Sequence, residues 1–147
     1  MAPAVLATMR LLTQVAHFPS RLGECVVQQP LEVPPPSASA IAELSGLSGG
    51  YISLLAPLTV CAELVAAMIG EPVEANNRTG IEDGLTEFLN LVGGDLVARV
   101  AEDAHTLEVM LPRPGGLPEL SRTDHLVAAR LHVPGGDLVL SVLTRLG

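Results

Sequence analysis

Ile81-Glu82-Asp83-Gly84-Leu85-Thr86-Glu87-Phe88-Leu89-Asn90-Leu91-Val92-Gly93-Gly94-Asp95-Leu96 is the stretch whose reading decides the fold. With side chains advancing by about 100° per residue, Ile81, Leu85, Phe88, Val92 and Leu96 fall in one arc. Asp83, Glu87, Asn90 and Gly94 fall in the opposite one. That separation has the period of a helix and not of a strand, and it predicts a helix over 81–101 with one face on a core and the other free. Asp83, Glu87 and Asn90 stand at i, i+4 and i+7, so their side chains stack along one stripe that a single partner surface could touch. Two consecutive glycines, Gly93 and Gly94, each cost a helix interior roughly 1 kcal/mol relative to alanine. Close approach of a partner's backbone beside the stripe is one reason to keep them.

Working back toward the N-terminus, residues 71–79 form a polar loop and residues 57–69 a second helix. Pro57 opens that helix, Val60, Leu64, Val65 and Met68 lie along one side, and Gly70 ends it. Residues 37–44 and 51–56 read as strands around Ser45-Gly46-Leu47-Ser48-Gly49-Gly50, and the simplest joining is a hairpin. Pro34-Pro35-Pro36 is a stiff connector, preceded by an extended run over 24–33 that Pro30 breaks. Val5, Met9, Leu11, Leu12 and Val15 predict a first helix over 4–18, stopped by Pro19. Beyond the long helix come an extended segment at 106–111, a Pro/Gly-rich connector at 112–118, and two alternating runs, 126–133 and 137–144. Pro134-Gly135-Gly136-Asp137 joins those runs as a turn. The chain is expected to be a single α+β domain, with about three helices, two of them long, packed on a largely antiparallel β-sheet.

Composition narrows the function. The 147 residues suit one domain. Apolar residues make up 48%, yet only Phe18, Tyr51 and Phe88 are aromatic, so the core must be aliphatic. Eight basic residues, all arginine, stand against 16 acidic ones, a net charge of -8 that argues against nucleic-acid binding. Cys25 and Cys61 sit in apolar segments without CxxC spacing and read as reduced core thiols. His17, His105, His125 and His132 are scattered, with no metal-ligand spacing, and no metal site is expected. The apolar runs are broken by Arg10 and Gln14 or by Pro57 and Glu63, so no membrane span is expected and the cytoplasm is the expected location.

On spacing alone, the stripe is also what an ordinary solvated helix face looks like. The segment from Asp83 through Glu87 to Asn90, however, resembles the Asp/Ser-x3-Glu-x2-Asn motif of the CheC, CheX and FliY chemotaxis phosphatases. Its setting is similar too. A glycine-bearing hairpin, a helix of small and apolar residues and a polar loop precede the motif helix, and a glycine pair follows the Asn. The similarity covers about residues 41–111, and the single motif is most like CheX, since CheC carries two. One departure is Gly94-Asp95, where family members often have Gly-Asn; Asp95 projects off the stripe and is not expected to be catalytic.

The resemblance implies a phosphatase acting on the aspartyl phosphate of a phosphorylated CheY-like response regulator. Asn90 would orient the attacking water inside the regulator's active site, and Glu87 would pair with the regulator's lysine. Asp83 and Gly94 would contact the partner at the rim. No cofactor of the chain's own is implied, Mg²⁺ being supplied with the regulator, and a homodimer is implied. Two other readings stay open: a non-catalytic, flagellar-switch-like module that holds a regulator through the same stripe, and a self-associating structural protein whose last hairpin offers an edge strand to a second copy.

Overall fold

The computed structural model describes residues 1–45, 49–101 and 107–145. Three helices, α1 (Ala2–Ala16), α2 (Leu58–Ile69) and α3 (Arg78–Ala101), accompany seven strands: β1 (Arg21–Val27), β2 (Ser37–Ser45), β3 (Gly50–Pro57), β4 (Glu108–Val109), β5 (Arg113–Pro114), β6 (Asp124–Val133) and β7 (Gly136–Arg145). One sheet contains all seven in the order β1-β6-β7-β3-β2-β4, with β5 also on β2, and every pairing is antiparallel. The expected α+β architecture of helices on an antiparallel sheet is the observed one.

Strand alternation sorts the sheet into two faces. Ala38, Ala40, Ala42 and Leu44 of β2, Ile52, Leu54 and Ala56 of β3, Ala129 and Leu131 of β6, and Leu138 and Leu140 of β7 join the helices in one core. The helices contribute Leu11 and Leu12, Leu64, and Ile81, Leu85, Phe88, Leu89 and Val92. The other face, with Ile41, Ser53, Leu126, Ala128, Ser141 and Leu143, is also buried. Extended connectors shield it, the Gln28 N–H bonding the Leu126 carbonyl and the Gly115 N–H the Ser39 carbonyl.

Local chemistry explains the boundaries. The αL residue His17 ends α1, with its N–H and that of Phe18 turned back to the carbonyls of the last turn, two residues before the proline that the sequence marks as the stop. Gln28, also at positive φ, ends β1 well short of residue 33, and its amide bridges to β6 at the Asp124 carbonyl and the Leu126 N–H. The first predicted hairpin pairs β2 with β3 in unbroken register from Ser37 opposite Pro57 to Leu44 opposite Gly50; residues 46–48 of its loop lie outside the described residues. Gly50 adopts φ +142° and its backbone runs against the Leu143 carbonyl, leaving no room for a Cβ. The extended segment predicted at 106–111 is reduced to the two residues of β4, with residue 106 outside the described set.

Two expectations are corrected. The last hairpin offers no edge, because β6 is held between β1 and β7, and β7 between β6 and β3. Long antiparallel neighbours on both sides occupy its backbone groups. Cys25 is not a core thiol: on the edge strand β1 it is exposed, whereas Cys61 on α2 is fully buried and donates to the Ala56 carbonyl at 3.5 Å. No described helix is long and apolar enough to cross a membrane.

Burial pushes the Cys61 thiol up from 9.0 to about 11, although nearby backbone hydrogen bonds and Arg78 act the other way. The fold therefore favours the neutral thiol, and this contribution to stability is whole below pH 9.0 and is lost as pH rises through about 11. A thiol reagent at neutral pH is expected to modify one cysteine in the native protein and two in denaturant. Two rapid modifications in the native state would contradict the burial of Cys61.

Candidate functional site on helix α3

Helix α3 starts three residues before the apolar periodicity does. Asn77 caps it, its side-chain oxygen accepting the Gly80 N–H at 3.1 Å while its carbonyl accepts the Ile81 N–H at 3.0 Å. From there Ile81, Leu85, Phe88, Leu89 and Val92 are completely buried and Leu96 nearly so. Asp83, Glu87, Asn90 and Gly94 are all exposed on the opposite side, where the helical wheel puts them. Among the described residues, no side-chain hydrogen bond or ion pair engages Asp83, Glu87 or Asn90. Their polar atoms face solvent.

Of the four glycines of this helix, Gly84, Gly93 and Gly94 have different roles. A Cβ on Gly84 would run into the Val65 side chain, so that glycine lets α2 pack on α3, a role the sequence reading missed. A Cβ on Gly93 would stand 2.9 Å from Val109 Cγ1, so Gly93 lets β4 close on the helix. A Cβ on Gly94 would meet nothing within 4 Å. Only Gly94 leaves space that the described residues do not use.

Asn90, Gly93, Gly94, Val97 and Val109 line a shallow depression of about 310 Å³. Asp95 points elsewhere: it accepts from Arg10 Nη1 of α1 at 2.8 Å and from Arg99 Nε at 2.6 Å, and its side chain is only 12% exposed. This carboxylate ties α1 to α3, which accounts for a charge at that position. A larger cavity, of about 670 Å³, lies away from the stripe, against Pro34, Pro35, Pro36, Pro57 and Leu58. Prolines and small residues make up most of its lining, and among the described residues its Asp137 bonds to Arg130 and His132, not to its Thr59. His17 caps α1, whereas His125 and His132 share strand β6, seven residues apart, with His132 Nδ1 2.7 Å from Asp137 Oδ1; His105 lies outside the described residues.

No protein-family model and no curated protein matches the sequence. Solved structures do match its fold. A chemotaxis protein CheX from Desulfovibrio desulfuricans superposes with a TM-score of 0.79 at 19% identity, covering 96% of this chain and 95% of the other. A CheC-like superfamily protein from Shewanella sp. PV-4 gives 0.83 at 14% identity, covering 97% and 94%. The chain has the CheX/CheC fold. CheX from Borrelia burgdorferi, solved in complex with CheY, BeF3 and Mg²⁺, also matches, with a TM-score of 0.77 at 14% identity and coverage of 97% and 95%. The CheX-like architecture spans nearly the whole chain, including the final hairpin, which lies beyond the part where the motif context is recognisable in sequence.

The glycine pair yields a direct contrast. Gly94→Ala is expected to raise unfolding free energy by about 1 kcal/mol, since it adds helix propensity in open space. Gly93→Ala is expected to gain nothing or to destabilise, since Val109 must give way. Urea denaturation of both variants checks this, and an equal gain at both positions would contradict the packing of β4 on α3.

Proposed function

We propose that this chain is a phosphatase for the aspartyl phosphate of a CheY-like response regulator, working through Glu87 and Asn90. The observation that carries the reading is the placement of these two side chains, one turn apart on an exposed face of a helix whose other face is locked in the core. Its support is the shared CheX fold and the existence of a CheX complex with CheY, BeF3 and Mg²⁺. Bound to a carboxylate oxygen, BeF3 has the charge and tetrahedral shape of a phosphoryl group.

Hydrolysis of an aspartyl phosphate forms a bond from water oxygen to phosphorus and breaks the bond to the aspartyl oxygen, which leaves as carboxylate. The regulator brings the phosphoryl group, with Mg²⁺ and a lysine to balance its charge, so an in-line water is what it lacks. A carboxamide suits that task. The Asn90 carbonyl can accept from the water while its N–H donates to a phosphoryl oxygen, and it does not ionise at any working pH. Glu87 supplies an anion for the regulator's lysine. Asp83, a further turn back, and Gly94, a turn ahead of Asn90, lie at the rim of the same contact. The chemistry requires no nucleophile or cofactor from this chain, and the cytoplasm, where response regulators work, is the proposed location.

A homodimer belongs to the same reading. The β1 edge suits it, because Leu22 and Val27 are exposed there, Leu22 shares a hollow with Leu6 of α1, and among the described residues only β6 pairs with β1.

Decay of a phosphorylated regulator from the organism that encodes the chain tests the proposal. Wild-type protein is expected to accelerate decay. Asn90→Ala is expected to lose that acceleration by on the order of 100-fold, as removal of one positioning group does in other enzymes, while keeping most of its binding. Glu87→Ala should weaken both. Binding of the phosphorylated regulator without faster decay would make the chain a non-catalytic binding module.

A further inference from the structure

We infer that the depression beside Asn90 is a specificity pocket, which receives one aliphatic side chain carried on a basic segment of the response regulator. This rests on the docking face of the proposed function and says which regulators that face accepts. Gly94 and Gly93 line the depression, with Asn90, Val97 and Val109 around them, so a group seated there lies directly against the amide that would position water. Its volume of about 310 Å³ admits a side chain but not a helix, which is about 10 Å across.

Three observations fix the chemistry of the occupant. Gly94 is an exposed glycine inside a helix, a costly choice, and no described atom uses the space above it. Val97 and Val109 are half-buried, and Leu111, two residues past Val109, is 85% exposed, so apolar surface continues beyond the depression at this sheet edge. Asp83 and Glu87 supply negative charge on the N-terminal side of Asn90, while Arg10 and Arg99 are held by Asp95. An apolar hollow with carboxylates to one side is complementary to an aliphatic side chain flanked by lysine or arginine, and it rejects an acidic or bulky aromatic residue at that point.

Steady-state dephosphorylation and binding of the BeF3- and Mg²⁺-loaded regulator test the pocket together. Gly94→Leu fills the hollow and Val97→Asp charges it; both are expected to raise KM and Kd by about 10-fold or more with kcat little changed. Thermal melts confirm that each variant is folded. Unaltered KM and Kd in both variants, with Asn90→Ala still inactive, would overturn the pocket and leave the phosphatase reading standing. If wild type binds without accelerating decay, the phosphatase reading falls, and a Kd raised by Gly94→Leu and Val97→Asp upholds the pocket, while an unchanged Kd removes it. If wild type neither binds nor accelerates any regulator of the organism, both fall.

Discussion

Everything else in this molecule depends on how closely α3 lies to the sheet. Ile81, Leu85, Phe88, Leu89 and Val92 are wholly excluded from solvent. The strand that α3 contacts most, β2, meets it with Ala38, Ala40 and Ala42, residues too small to hold a helix away. Phe88 is the largest fully buried side chain, in a core that is otherwise aliphatic apart from Phe18 and Cys61. An apolar face fixed this firmly also fixes the rotation of the helix, and therefore the direction of Asp83, Glu87 and Asn90. The direction of the stripe is a by-product of that packing.

Neighbouring elements reinforce that rotation. Gly84 lets α2 close against one flank, Gly93 lets β4 close against the other, and Asp95 binds α1 through Arg10. Each contact takes a residue adjacent to the stripe and commits it to structure. What remains for a partner is a narrow set of groups: two carboxylates, one amide, an unfilled glycine and a small hollow. Under the proposed function such a site supplies half of an active centre, and a second protein would bring the phosphoryl group and its metal. That proposed division suits a face that is open instead of enclosed, with the larger proline-lined cavity elsewhere.

The helices and their exposed faces were legible in the sequence because a period of 3.6 residues is a local property, written in every turn. The same held for both hairpins, where alternating runs flank turn residues close together in the chain. Asp95 could be assigned to the side of the stripe by angle alone, but not to Arg10, which is 85 residues away. Cys25 shows the limit in the other direction. An alternating apolar segment looks the same whether its strand is central or at an edge, and only the pairing of β1 with β6 on one side alone leaves that thiol exposed.

By itself, then, the sequence determined the α+β class, the span of each helix to within a few residues, the pairing partners within each hairpin, and the spacing of Asp83, Glu87, Asn90 and Gly94. Tertiary structure alone decided the order of the strands, which placed the final hairpin inside the sheet and β1 at its rim. It also separated two adjacent glycines that are equivalent in sequence, giving Gly93 to Val109 and leaving Gly94 open. The reason is physical: periodicity and turn chemistry act over a few residues, whereas exposure and free volume depend on which distant segments arrive to cover a surface.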